Sequence, residues 1–287
     1  METLEAELAN FSITLNILTI SGLAFLLALT SETLWDVIRG HRKNLGETFV
    51  NASIGIVTAL LERTFYSLIF VFGLWLATPF ALMQIPNAWW VLPLAIFSAD
   101  FTYYWMHRIE HETRILWANH SVHHSSPEYN FTTALRISWV DSLVEWVFFL
   151  PMILLGFSLA QTVTGLFVVL AYQSWVHTEK LGKLGWLDRV FNTPSVHRVH
   201  HGANAQYIDK NYGGILIIWD RIFGTYEPER EKVVYGITTP VNTINPLKVV
   251  FIEYRNIWRD LKKARSGREA LGYLFRRPGW RPGKPRK

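Results

Sequence analysis

Nine of the ten histidines in this 287-residue chain lie between residues 107 and 201. They form "HRIEH" (His107, His111), "HSVHH" (His120, His123, His124), a single His177 in "WVHTEK", and "HRVHH" (His197, His200, His201). Imidazole is the commonest metal-binding side chain, so this clustering raises metal chemistry first. On an α-helix residues i and i+4 share a face, which points His107 and His111 the same way. In each HxxHH box the i+3 and i+4 rings lie about 60° to one side and about 40° to the other side of the first, at 3.6 residues per turn. Such a fan can hold one ligand between two metal ions and give one to each. A lone HxxxH is commonplace on a solvated helix, whereas three boxes and a further histidine in one third of the chain are not. His41, in "RGHRKN", reads as solvated surface.

Nine imidazoles exceed the four ligands of a structural zinc and the three of a catalytic one, so two metal ions are the economical reading. The chain has no cysteine. That removes thiolate-ligated haem, iron–sulfur clusters and cysteine zinc sites together. Imidazole accepts iron, copper and zinc, and zinc can occupy such sites in a purified sample. The HExxH pattern of zinc proteases fails, because Glu112 follows His111 but position 115 is Ile. A histidine ligand needs its second ring nitrogen held by a carboxylate, carbonyl or water. Asp100, seven residues before His107 on the same face, is one candidate for that role; Asp141 and Glu145 are others. Around the third box, Asn192 or Thr193 can cap a helix, Pro194 fits its first turn and Gly202 can end it.

The elements that position these groups read as membrane spans. Half of the residues are hydrophobic and thirteen are tryptophan, a residue that concentrates at membrane interfaces. Five apolar stretches approach the length of about 20 residues that crosses a bilayer: about 11–30, 64–83, 88–106, 138–157 and 159–176. The residues before the first are acidic rather than basic, unlike a cleaved signal peptide. The first loop carries Arg39, Arg42 and Lys43, and the carboxy-terminal stretch is strongly basic, so both are expected on the cytoplasmic side. Five spans then deliver every histidine box to that face. The expected fold is all-α and polytopic, with four to five transmembrane helices and a cytosolic histidine-rich helical region. Its parts are an anchor and basic loop (1–44), a catalytic domain (45–228), a cytosolic segment (229–265) and a basic tail without structure (266–287). In a chain this apolar, the basic tail fits anionic lipid head groups better than nucleic acid.

The ordered set HxxxH, HxxHH, a single histidine after an apolar hairpin, and HxxHH resembles the sterol desaturase and fatty acid hydroxylase superfamily. Within it, "WANHSVHHSSPEYNFTTALR" and "HRVHHGANAQYIDKNYGGILIIWDRIFGTYEPE" look like the alkylglycerol monooxygenase branch. The resemblance implies two iron ions held by the eight box histidines, with His177 matching the family's additional one. It implies that the Asp209–Gly214 run and Trp219-Asp220 frame the site, although adjacent glycines also suit a plain tight turn. It also implies dioxygen and a lipid chain as substrates, in the bacterial inner membrane or the endoplasmic reticulum. Electrons must come from a separate protein or a reduced pterin such as tetrahydrobiopterin, because no G-x-G-x-x-G fingerprint is present. Animal members of the branch are longer, so oxygen chemistry carries over better than ether-lipid substrate or pterin. A desaturase would use the same site. A metal transporter or bis-histidine haem protein fits less well, since transport sites lie near the bilayer midplane and haem would leave most of the histidines unexplained.

Overall fold

The computed structural model describes residues 2–40 and 44–283, so His41, Arg42 and Lys43 lie outside the described residues. The described residues form eleven α-helices, with two isolated β-bridges and no sheet. The first helix, α1 (Glu2–Ile38), is over Ser12–Ile38 long and apolar enough to cross a membrane. Its side chains Ile20, Leu23 and Leu27 are more than half exposed, which rules out the core helix of a soluble fold. Those 27 residues reach roughly 40 Å at 1.5 Å each, beyond the thickness of a hydrocarbon core of about 30 Å. In its final turns the buried Glu32 accepts from the Phe131 N–H (3.0 Å) and the Thr178 hydroxyl (2.6 Å). Asp36, one turn on, pairs with Lys180.

Asn44 starts α2 (Leu45–Leu61) by accepting the Gly46 N–H on its side-chain oxygen at 3.0 Å. A π-helical turn at Glu62–Tyr66 joins it to α3 (Ser67–Ala77). The long α4 (Val91–Glu112) is followed at once by α5 (Arg114–His124). A hairpin of α6 (Ser142–Leu154) and α7 (Leu159–Gln173) packs against α3 and α4. Leu74, Ala95, Ala99, Phe149, Ile153, Leu166 and Val169 form the main apolar core between them. Four shorter helices complete the chain: α8 (Pro194–His200), α9 (Ile218–Phe223), α10 (Pro246–Leu261) and α11 (Gly267–Phe275).

The apolar stretches expected to span differ in length and regularity. Among the described residues only α1 has the length and hydropathy of a span, while α2, the Ser67–Phe80 stretch, α6 and α7 are shorter apolar helices. The second expected span is broken by the π-helical turn before it and by a loop after Phe80. The third coincides with α4, where Asp100 and the histidines interrupt the apolar run. The tail expected to lack structure is instead helical over Gly267–Phe275, capped by Ser266 and anchored by Tyr273, whose ring packs against Trp280.

At the end of the bundle away from the histidines, the Leu82 N–H donates to Leu154 O (2.8 Å) and the Ile85 N–H to Gly156 O (2.9 Å), clasping the loop before α4 to the hairpin turn. Gly156 has φ 104°, and a Cβ there would meet the Met83 carbonyl oxygen at 2.3 Å. We expect Gly156→Ala to destabilise the fold by about 1–3 kcal/mol. Thermal unfolding of the detergent-solubilised protein checks this. Gly182→Ala, where a Cβ meets nothing within 4 Å, should leave the midpoint unchanged.

Candidate metal centre

The last turns of α4 carry His107 and His111, α5 carries His120, His123 and His124, and α8 with the residue after it carries His197, His200 and His201. His177 follows the end of α7. All nine side chains are buried. Their ring nitrogens gather into two groups, each within 4.8 Å: His107, His111, His120, His124 and His200 in one, His123, His177, His197 and His201 in the other. Each i, i+4 pair stays within one group, while His123 and His200 cross to the opposite one. Each HxxHH box thus gives to both groups, while HRIEH gives only to the first.

The ring nitrogens face one another as donor atoms around a cation would. His177 donates from Nδ1 to the Gln173 carbonyl (3.1 Å), which leaves Nε2 a bare lone pair. That Nε2 lies 3.1 Å from Nε2 of both His123 and His197, and His197 Nε2 lies 3.2 Å from His201 Nε2. In the other group His107 donates from Nδ1 to the Tyr212 carbonyl (2.9 Å) and its Nε2 lies 2.9 Å from His120 Nε2. His111, His124 and His200 each bury an Nε2 with no hydrogen-bond partner. Convergent lone pairs in a dry interior repel unless a proton or metal ion lies between them, so the donor set fits a metal in each group. Burial holds the imidazoles neutral, as metal binding requires, with His107 pushed down to about 3 and His177 to about 4.

The loop after α8 sets the ring orientations. Its Tyr212 carbonyl holds His107, and its Lys210 carbonyl accepts from His200 Nδ1 at 3.0 Å. Asp209 (φ 60°) and Asn211 (φ 58°) take the left-handed conformation there, while Gly213 and Gly214 do not. Gly214 serves close approach instead: a Cβ would sit 2.6 Å from Val169 and 2.9 Å from Asp100. Asp220 clamps the loop by accepting the Tyr212 and Gly213 N–H groups, both at 2.8 Å. Asp100 accepts the Ile215 N–H (2.6 Å), the Leu216 N–H (3.1 Å) and the Trp219 indole N–H (2.8 Å). It therefore reaches His107 through the backbone of this loop rather than by its own carboxylate.

Among the described residues the carboxylates paired with a histidine are Asp209 and Glu110, not Asp141 or Glu145. The carboxylate nearest a histidine is Glu110, 3.4 Å from His120 Nδ1, a residue sequence reasoning missed. Burial and the charges of Asp141 and Glu145 push the Glu110 carboxyl well above the usual carboxylate range. Its position three residues after His107 in "HRIEH" was the available signal. Thr193 precedes α8, but neither it nor Asn192 caps with its side chain. Asn192 instead donates to the Gly213 and Gly214 carbonyls and lies 3.3 Å from His197 Nδ1. Two arginines were also missed. Arg136, fully buried, ties the Val122 carbonyl on α5 to Glu47 and Asn51 on α2. Arg198, inside the third box, bonds Glu229 and the Thr178 and Leu181 carbonyls, fixing α8 against the segment after His177.

Residues 90–225, which hold all nine of these histidines, match the fatty acid hydroxylase family. The chain carries a fatty acid hydroxylase domain. Human alkylglycerol monooxygenase is 42% identical over 243 residues, which cover 84% of this chain and 54% of that protein. The ornithine lipid hydroxylase OlsE of Rhizobium tropici is 32% identical over 161 residues, 55% of this chain and 48% of its own. A Delta(7)-sterol 5(6)-desaturase of Aspergillus fumigatus is 32% identical over 145 residues, 48% of this chain and 40% of its own. The hydroxylase domain thus sits in a chain that spans about half the length of the curated relatives it matches. No solved structure matches it.

Replacing Asp100 by Asn removes the charge that receives three donors and loosens the loop that orients His107. We expect metal affinity to fall about 10–100-fold, read by competition with a chelator. Protonation gives a second expectation for the metal-free protein. The histidines titrate near 6.5 in the unfolded chain but far lower in the fold, so unfolding takes up protons in acid. Stability should be full above about pH 6.5 and fall as the pH drops toward about 4, where His177 protonates in the fold. Unfolding midpoints measured across that range check it; a flat profile contradicts it.

Proposed function

We propose that the chain is a membrane-bound di-iron lipid monooxygenase that uses dioxygen to hydroxylate a fatty acyl, alkylglycerol or sterol-like chain. The partition of nine buried histidines into groups of five and four carries this reading. Two irons held there supply the activation of dioxygen toward an unreactive C–H bond, chemistry no side chain performs. The imidazoles remain neutral, carbonyls fix the outer nitrogens of His107, His177 and His200, and the buried surroundings exclude water from the site. Hydroxylase and monooxygenase relatives support the reaction type, and the alkylglycerol and ornithine-lipid names among them support a lipid with long chains.

The membrane setting is supported by α1 and by the exposed apolar faces of the shorter helices. In this reading the histidines and the carboxy terminus face the cytosol, in the bacterial inner membrane or the endoplasmic reticulum. The catalytic domain comprises residues 45–228, with 1–44 as anchor and 229–265 beyond it. Electrons reach the site from a separate donor protein or a reduced pterin, tetrahydrobiopterin being one. Desaturation is the second reading, favoured by the sterol desaturase relative; it needs the same metal ligands and differs in which substrate hydrogens leave.

Membranes enriched in the protein, incubated with lipid, a reductant and labelled O2, should yield a hydroxylated lipid bearing one labelled oxygen. A new double bond without label selects the desaturase. His200→Ala and His123→Ala, one from each group, should each reduce product to background and lower the iron bound per chain, with the protein still in the membrane. Undiminished activity in either variant overturns the ligand assignment.

A further inference from the structure

Helix α10 has a flank that none of the described residues covers. Val249, Val250, Ile257 and Asp260 are buried against the fold. A separate row, Leu247 (59% exposed), Phe251 (44%) and Trp258 (59%), runs along the helix at spacings of four and seven. At about 100° per residue these three positions fall within roughly 40° of one another. Beside them, on the strip farther from the core, lie Lys248, Arg255, Arg259 and Lys262, all exposed. The Lys262 ammonium sits 5.0 Å over the Trp258 ring. The two acidic residues of the helix, Glu253 and Asp260, point the other way and pair with the buried Arg114 at 2.9 and 2.8 Å. Charge on the exposed side is therefore of one sign.

The apolar row is continuous with other uncovered apolar surface. At the start of α10 it meets a groove of about 550 Å³ lined by Phe49, Val57, Trp139, Ile244 and Leu247. From Phe49 the exposed side chains continue along α2 through Ile56 and Leu60, and into α3 at Leu68 and Phe72. An aromatic and aliphatic strip bordered by lysine and arginine is the composition of a helix that lies in a bilayer surface. The long cationic side chains can reach head groups while their stems cover apolar surface.

We propose that α10 lies in the surface of an anionic bilayer. Leu247, Phe251 and Trp258 enter the acyl-chain region, and Lys248, Arg255 and Arg259 meet lipid phosphates. The membrane contact of the chain thus extends beyond its apolar helices into the 229–265 segment, which the sequence alone placed in the cytosol.

The absence of cysteine makes a direct test available. The full chain, reconstituted in phosphatidylcholine vesicles with or without phosphatidylglycerol, is spin-labelled at Leu247→Cys, Phe251→Cys, Trp258→Cys and, as a solvent-exposed reference, Lys232→Cys. At the three α10 positions collisions with oxygen should exceed those with a water-soluble nickel chelate, and the order should reverse at residue 232. The difference should grow when phosphatidylglycerol is included and shrink when Lys248→Glu, Arg255→Glu and Arg259→Glu are combined. Labels as open to the nickel chelate as the reference, in both lipids, overturn the proposal. So does exclusion of both reagents, which would mean that protein covers the helix. Shielding indifferent to lipid charge and to the three substitutions overturns the role given to the cations.

Discussion

A neutral imidazole buried away from water has two nitrogens to satisfy, one a donor and one an acceptor, and nine of them packed together multiply the demand. In this fold several of the outer nitrogens are answered by backbone carbonyls: Gln173 for His177, Tyr212 for His107 and Lys210 for His200. The inner nitrogens then turn toward one another. Irregular backbone carries this arrangement, because a regular helix has already used its interior carbonyls within its own ladder. The Asp209–Gly214 loop and the residues at the end of α7 exist as exposed carbonyls pointed at imidazoles.

Carbonyls aim well only if their loop is held. Asp220 grips the loop from within and Asp100 grips its continuation from α4, so the helix that carries His107 also fixes the backbone that orients it. Arg136 and Arg198 do the same for α5 and α8. Both are buried and bonded to carboxylates and carbonyls together. Desolvating such charges makes them weak contributors to stability. Their effect is positional, since each joins two segments that carry histidines, or a histidine helix to its support.

The boxes were legible because helical spacing is a local property. His107 and His111 share a group, each HxxHH box gives to both groups, and His177 joins the second. The supports were less legible. Glu110 sits in the motif itself, but its contact with His120 depends on how α5 folds back on α4. Arg136 lies in no pattern, and its role appears only once α2 and α5 are neighbours. The helix boundaries were less legible for a similar reason: hydropathy counts apolar residues without knowing that a π-helical turn, a loop at 81–90 or Asp100 interrupts the run. Basic composition likewise hid the helix at Gly267–Phe275, which depends on Tyr273 meeting Trp280.

The carboxy-terminal end of α1 changes what kind of part that helix is. A tether can be cut without harm to the machine it holds, but Glu32 answers the backbone of Phe131 and the hydroxyl of Thr178, the residue next to His177. With Asp36 on Lys180, two carboxylates of α1 hold the segment that follows His177. A version clipped free of its first forty residues would therefore lose the acceptors that fix Phe131, Thr178 and Lys180.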